Sequence, residues 1–271
     1  MVGAIVQARV NSSRLPGKVL KTVLGRPLLE LLIERLTFCR RLDDIIIATT
    51  GSPEDDPVRD LAVRLGIKCV RGSEDDVLDR YFQAAREFHV DHIVRITGDC
   101  PLADPGVIDG VIEAYMDVES GMARYDYLSN ATEPTFPDGL DVQVFSFEVL
   151  KRLHQCSQKQ YQREHVCTYI LENSQEFKTG NLRCRRDLSH YRWTLDNPED
   201  YELIKAIYEG LYLRKKNFRM EDILEFLKNN PGLENLNKGL TRNEGFIRSL
   251  DKDNLSDAQK TDIIEKVILR K

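Results

Sequence analysis

The chain opens Val2-Gly3-Ala4-Ile5-Val6-Gln7-Ala8-Arg9-Val10-Asn11-Ser12-Ser13-Arg14-Leu15-Pro16-Gly17-Lys18 after its initial Met1. Residues 2–8 are an apolar run with β-branched members, the pattern of a strand buried on both faces. A polar loop follows directly. Leu28, Leu32, Ile33 and Leu36 then recur at helical spacing, so residues 27–42 read as a helix. Residues 44–49, with Ile45, Ile46 and Ile47, make a second buried strand. Ser52-Pro53-Glu54-Asp55 starts a helix with a capping serine, proline at the first helical position and an acid three residues after the cap. That helix ends near Gly66. Residues 67–70 form a short strand, and Ser73-Glu74-Asp75-Asp76 is a capping box for a helix through Phe88. Residues 92–97 are a fourth strand, and Asp104-Pro105 opens a helix through about Val118.

Four alternations of strand and helix imply an α/β fold, with a mainly parallel central sheet covered by helices on both faces. Ligands of such sheets bind at the carboxyl ends of the strands. The informative residues are therefore the loop after Ala8, Thr49-Thr50, residues 71–73 and Thr97-Gly98-Asp99-Cys100-Pro101. From about residue 121 to 190 the alternation breaks. Residues 127–130, 140–145 and 177–184 read as strands and 163–173 as a helix. We expect a mixed-strand insertion within one domain spanning residues 1–250. Residues 192–195 return as a strand, 198–213 and 220–229 as helices, and 229–245 as a surface loop rich in Asn and Gly. Residues 251–271 form a charged tail with helical periodicity over 256–269, read as a linker or a minor docking helix that frays.

At 271 residues the chain is long enough to bury about 70–75% of its unfolded surface. Hydrophobic residues make up 41%, which supports a packed core and excludes global disorder. Lys plus Arg is 39 against 44 for Asp plus Glu, a net charge of −5 that argues against sequence-blind nucleic-acid binding. No apolar run approaches the ~20 residues of a membrane span. The apolar start meets Arg9 too soon for a signal peptide. The six cysteines (Cys39, Cys69, Cys100, Cys156, Cys167 and Cys184) contain no C-x-x-C pair, so neither a zinc ribbon nor a redox dithiol is supported. Scattered thiols fit a reducing cytoplasm.

The first loop carries Arg9, Arg14 and Lys18 within ten residues, with Ser12, Ser13 and Gly17 among them. Backbone N–H groups and fixed cations at a strand's carboxyl end suit a polyphosphate; a solvated basic loop is the plainer reading. The loop is not a Walker A sequence, because Ser12 replaces the first glycine and Val19 the Ser/Thr.

Gln-Ala-Arg-x-x-Ser-Ser-Arg-Leu-Pro-Gly-Lys over residues 7–18 resembles the N-terminal signature of the sugar-acid cytidylyltransferases, which include the acylneuraminate and 3-deoxy-manno-octulosonate enzymes. The likeness is greatest to the spore-coat polysaccharide biosynthesis (SpsF-like) branch. It extends through residues 72–81, Thr97-Gly98-Asp99-Cys100-Pro101-Leu102, Pro137-Asp138-Gly139-Leu140-Asp141-Val142, Arg163-Glu164-His165, Arg192 to Tyr201 and Asn243-Glu244-Gly245-Phe246. Asn11 and Asn197 depart from the usual pattern. The resemblance implies a nucleotide-diphospho-sugar transferase (GT-A-like) fold. It implies transfer of CMP from CTP to a nonulosonic or octulosonic type of sugar acid, with pyrophosphate released, for surface polysaccharide synthesis. It also implies a homodimer formed through the inserted region.

On this resemblance Arg9, Arg14 and Lys18 hold the triphosphate and stabilise the departing pyrophosphate. Asp99, beside a glycine that lets a ligand approach, binds Mg²⁺ next to the α-phosphate; alone it reads equally as a turn residue before Pro101. Asp196 is the second metal carboxylate, although Asp196-Asn197-Pro198-Glu199 by itself fits a helix cap. Ala8, Ser12, Ser13, Thr49, Arg71, Ser73 and Thr97 surround the nucleotide, with Ser73 and Asp76 also readable as a capping pair. The acceptor pocket draws on the insertion. Asp138, Asp141 and Gln143 bracket a strand that puts Asp141 and Gln143 on one face. Arg163, Glu164 and His165 add a cation, a carboxylate and an imidazole, and Arg163 or Arg192 anchors the sugar carboxylate. His165 reads either as a general base or as a hydrogen-bonded structural residue. Tyr125, Tyr127, Phe136, Phe145 and Trp193 read as core or dimer-contact aromatics.

Two other functions are compatible with such a scaffold. A glycosyltransferase would carry Asp-x-Asp after the corresponding strand, and Asp99-Cys100-Pro101 does not. A non-catalytic nucleotide- or glycan-binding protein would have lost a charged position, yet all five of Arg9, Arg14, Lys18, Asp99 and Asp196 are present.

Overall fold

The computed structural model describes residues 1–12, 14–116 and 122–269. Ser13, Val118 and Gly121 lie outside them. The first half runs β1 (Val2–Gln7), the two-residue strands β2 (Thr22–Val23) and β3 (Arg26–Pro27), α1 (Leu28–Leu36), β4 (Asp44–Thr50), α2 (Asp56–Leu65), β5 (Lys68–Gly72), α3 (Val77–Glu87), β6 (His92–Thr97) and α4 (Pro105–Tyr115). The second half runs β7 (Tyr127–Ser129), β8 (Gln143–Ser146), α5 (Phe147–Cys156), α6 (Gln160–Glu164), α7 (Thr168–Glu172), β9 (Thr179–Asn181), α8 (Pro198–Leu211), α9 (Met220–Asn229), α10 (Glu244–Ser249) and α11 (Asp257–Ile264).

Seven strands form one sheet in the order β5-β4-β1-β6-β8-β7-β9. β4 and β6 flank β1 in parallel, and β5 joins β4 in parallel. β8 alone runs against its neighbours β6 and β7, and β9 pairs parallel to β7. Alternation along each strand feeds two cores. Ala4, Val6, Ile45, Ile47, Val94 and Ile96 pack with α1, α4, α8 and α9, while Ile5, Ile46, Ala48 and Ile93 pack with α3 and α5 on the other face. A sheet so covered explains why its central parallel strands β1 and β4 are apolar over most of their length. Tyr127, Phe136, Phe145 and Trp193 are buried in these cores.

Several expected elements differ. Ser73 does not cap α3; Asp76 does, its carboxylate accepting from the Asp79 N–H at 2.8 Å. Ser52 opens a 3₁₀ turn over Pro53–Asp55, and α2 starts after it. The strand expected over 140–145 begins later, at Gln143, because Gly139 turns the chain at φ +104. The helix expected over 163–173 is two short helices, split where Val166 adopts φ +49. Residues 192–195 are not a strand; Arg192 makes only an isolated bridge to Asp138. Helix α10 begins within the expected loop's end. The tail docks: Phe246, Leu250 and Ile263 pack with Tyr161, and the Asp253 carboxylate accepts from the Gln160 and Tyr161 N–H groups at 3.1 and 3.0 Å. No helix among the described residues is long and apolar enough to cross a membrane.

Candidate active site

The loop after β1 is pinned so that its cations face the sheet's carboxyl edge. Leu15 and Val19 are buried. The Val10 N–H donates to Asp55 at 2.6 Å, and Gly17 closes the loop by donating to the Val10 carbonyl at 3.0 Å. Lys18 therefore begins a short 3₁₀ turn with its side chain over the cleft. On the neighbouring strand, the Gly98 N–H donates to the Gln7 carbonyl at 2.8 Å. A Cβ on Gly98 would stand 2.9 Å from that oxygen, so only glycine allows β1 and the 97–99 turn to approach so closely.

Asp99 and Asp196 are 97 residues apart in number but are tied together by backbone. The Asp99 carbonyl accepts from the Leu195 N–H at 2.7 Å and from the Thr194 hydroxyl at 3.2 Å. Gly139 supports this from behind, its Cα so close to Trp193 that a Cβ would meet the Trp193 carbonyl carbon at 2.5 Å. The two carboxylates then share one ammonium: Lys18 Nζ donates to Asp99 Oδ2 at 2.9 Å and to Asp196 Oδ1 at 2.8 Å. Arg14 reaches the same Asp196 oxygen at 2.9 Å and Glu244 at 3.1 Å. Burial would raise the Asp99 carboxyl, but the Lys18 charge outweighs it and holds the group down at about 2. Burial likewise opposes the Lys18 charge, and the two acids override it and raise its pKa.

Asp196 does not cap α8. Asn197 precedes that helix, and Asp200 reaches back to accept from the Asn197 N–H at 2.9 Å. The Asp196 side chain is thereby left to the cleft. Arg192 is a buried hub that donates to Asp200 at 2.9 Å, Asp138 at 3.0 Å and Asp196 at 3.4 Å. It holds acids in place and lines neither the cleft nor the cavity beside it, so it is not placed to anchor a sugar carboxylate.

The cleft has a volume of about 290 Å³ and is lined by Ala8, Arg9, Ser12, Arg14, Lys18, Thr97, Asp99, Glu164, His165 and Asp196 among others. Six basic side chains, including Arg80, Arg248 and Lys252, face three carboxylates there, an excess of positive charge suited to a polyphosphate. Arg9 contacts Glu74 at 3.4 Å and Glu164 at 4.0 Å. His165 is buried against Phe246, and its Nε2 meets the Ser249 hydroxyl at 2.9 Å. Burial pushes its pKa down to about 4, so the imidazole is neutral at pH 7.

Four expected ligand contacts are redirected. Thr49 is fully buried within β4 and lines neither cavity. Arg71 folds back onto the Thr50 and Ser52 carbonyls at 2.8 and 2.7 Å and onto Asp56. Ser73 contributes a carbonyl to Arg80 and no side chain to the cleft. Arg163 is consumed by Asp76 at 2.6 Å and by the His154 and Ser157 carbonyls. Ser13 lies outside the described residues. Arg80, Arg248, Lys252 and Ser249 were not singled out in the sequence; Arg80 lies inside the 72–81 stretch that carries the family likeness, and the other three follow Asn243-Glu244-Gly245-Phe246 with no motif of their own.

A second cavity of about 360 Å³ adjoins the cleft, sharing Thr97 and His165 with it. Asp141 and Gln143 line it as expected, on one face of the chain entering β8. Asp138 stands behind them. Burial and the neighbouring Asp141 charge raise its pKa to about 7, against the opposing effect of Arg242 and Arg192.

The donor set fits a hard divalent cation. Asp99 and Asp196 present two carboxylates close enough to share one ammonium, the donor type a hard cation takes, while no group of three or more His, Cys, Asp or Glu side chains placed to hold a metal ion occurs among the described residues. Two carboxylates leave coordination positions for water and phosphate oxygens.

This is the fold of the nucleotidyltransferases. The cytidylyltransferase family profile matches residues 3–225, and the chain belongs to that family. It is similar to the spore coat polysaccharide biosynthesis protein SpsF of Bacillus subtilis, with 34% identity over 235 residues covering 84% of this chain and 94% of that protein. A cytidylyltransferase structure from Leptospira borgpetersenii superposes with a TM-score of 0.82 at 34% identity, over 89% of this chain and 99% of the other. A CMP:2-keto-3-deoxy-manno-octonic acid synthetase complexed with CTP shares the fold at a TM-score of 0.59 and 17% identity, over 77% of this chain and 98% of that one.

Proposed function

We propose that the protein transfers CMP from CTP to a sugar acid of the nonulosonic or octulosonic type and releases pyrophosphate, in the cytoplasm, for surface polysaccharide synthesis. The acceptor hydroxyl attacks the α-phosphorus in line. The bond to the pyrophosphate oxygen breaks, the hydroxyl proton passes to solvent water, and no covalent enzyme intermediate forms. The observation that carries this reading is the convergence of Lys18, Asp99 and Asp196 at the sheet's carboxyl edge within the family's span. Arg9, Arg14 and Lys18 bind the phosphates and take up charge on the leaving group. Asp99 and Asp196 hold Mg²⁺, which supplies Lewis-acid stabilisation of phosphoryl charge when bound. His165, buried with its Nε2 engaged by the Ser249 hydroxyl, shapes the wall shared by the two cavities rather than removing a proton. The same reading includes a homodimer through residues 121–190, measurable by sedimentation.

Pyrophosphate release from CTP, with 3-deoxy-manno-octulosonate and an acylneuraminate as acceptors and other nucleotides as controls, tests the reading. Asp99→Ala should abolish release in a protein that stays folded. Full activity in that variant removes the metal role. Nucleotide release from CMP- or UDP-sugars instead would make it a glycosyltransferase, and tight CTP binding without turnover would make it a binding protein.

A further inference from the structure

The second cavity holds two guanidinium groups in different electrostatic states. Arg242 is neutralised by Asp141 at 2.6 Å and Asp138 at 3.8 Å. Arg95, on β6, has no carboxylate partner among the described residues. Its Nη1 and Nη2 donate to the neutral amide oxygens of Gln143 at 2.7 Å and Gln7 at 2.9 Å. Its Nε is buried with no hydrogen-bond partner. Its guanidinium lies 5.9 Å from the centre of the Tyr81 ring. Neutral amides satisfy donors but do not cancel charge, and a shielded cation without a counter-ion is costly. Of the two guanidinium groups lining the cavity, Arg95 is the one without a carboxylate in contact; Asp99 acts on it only through space. Tyr127 and Thr132 also line the cavity, their hydroxyl oxygens buried and without a hydrogen bond of standard geometry.

We propose that this cavity is the acceptor subsite and that Arg95 binds the carboxylate of the acceptor there. The inference rests on the cytidylyltransferase reading above and assigns the acid-recognising residue within it. One guanidinium with no carboxylate in contact matches the single charge of a carboxylate, and its planar fork suits a two-oxygen anion. The sugar hydroxyls then meet a polar wall, and the shared liners Thr97 and His165 join this cavity to the cleft containing Asp99. Its outer wall comes from Arg242, Phe246, Val267 and Ile268, all beyond residue 225 where the family profile ends. Discrimination among acids thus resides in a segment outside the shared family core, while recognition of the acid group itself resides in β6.

Calorimetry on the full chain, titrating CTP and separately 3-deoxy-manno-octulosonate, N-acetylneuraminate and pyruvate, tests this. At least one carboxylate should bind the wild type. Arg95→Gln should weaken that binding by about tenfold or more, as loss of a charge-assisted contact does, with CTP affinity changed less than about twofold. Arg95→Lys should fall between. The carboxamide of the same probe should bind wild type and Arg95→Gln alike. Unchanged carboxylate affinity in Arg95→Gln overturns the proposal. So does a wild type that binds CTP but no carboxylate, or one that prefers a phosphorylated sugar lacking a carboxyl group. Carboxylate binding through Arg95 without CTP binding would instead sink the cytidylyltransferase reading and leave the anion site standing.

Discussion

Asp200 is fully buried and collects five donors, so Asp200→Asn is a stringent probe of how the acids are held. Its Oδ1 accepts from Arg192 Nε at 2.9 Å and from Asn237 Nδ2 at 2.8 Å. Its Oδ2 accepts from Arg192 Nη2 at 3.1 Å and from the Asp196 and Asn197 N–H groups at 3.0 and 2.9 Å. An asparagine keeps the shape but turns one of these oxygens into a donor. Whichever way the amide faces, at least two donors then point at an NH₂ group. Arg192 keeps Asp138 and Asp196 as counter-charges, so the guanidinium is not orphaned. The cost should sit at the low end for a broken buried pair, about 3 kcal/mol. Equilibrium urea unfolding of wild type and variant, compared at equal m-value, measures it. Pyrophosphate release should also fall, because the Asp196 backbone loses its acceptor and its carboxylate loses alignment with Lys18. A stability loss below about 1 kcal/mol, outside the range for a buried pair, would refute the claim that Asp200 organises this network.

Lys18→Met removes the ammonium shared by Asp99 and Asp196, and pyrophosphate release should drop about 100-fold or more, as when a preorganised electrostatic donor is lost; a rate within tenfold of wild type would show that the triphosphate charge is met elsewhere. Gly139→Ala forces a methyl onto the Trp193 backbone at φ +104, and thermal unfolding should show a loss of at least about 2 kcal/mol; an unchanged midpoint would mean the 138–140 turn does not brace Asp99 and Asp196. His165 titrates near 4 when folded against 6.5 ordinarily, so the unfolded chain binds the extra proton between those values. Its contribution to stability is therefore complete above about pH 6.5 and is lost as pH falls through that window towards 4. Unfolding free energies of wild type and His165→Gln should diverge across it, and parallel curves would contradict the burial argument.

The parallel half of the sheet was legible because its strands are buried on both faces, and a run such as Ile45-Ile46-Ile47 has few other homes. The inserted region was less so. Its strands are three or four residues long, and a backbone reversal at Val166 leaves no trace in hydrophobic spacing. Strand-end position placed these residues at the sheet's carboxyl edge but did not show which way a side chain points. Thr49 and Thr50 are both fully buried, and Arg71 turns onto the Thr50 carbonyl instead of the ligand space.

Charge compensation is the property that local sequence hides most completely. Read along the chain, Arg163 and Arg192 are the anchors offered, and nothing singles out Arg95. The structure separates them by their partners. Asp76 lies 87 residues from Arg163 and absorbs it; Asp138, Asp196 and Asp200 together absorb Arg192. Arg95 is left with two neutral amides. Burial without a carboxylate in contact does not by itself mark a ligand site, since Arg35 is buried against the Ala103 and Phe218 carbonyls and lines neither cavity; Arg95 differs in lining the second cavity. Arg95 escaped the sequence reading because its role depends on what does not stand next to it, a tertiary fact with no linear signature.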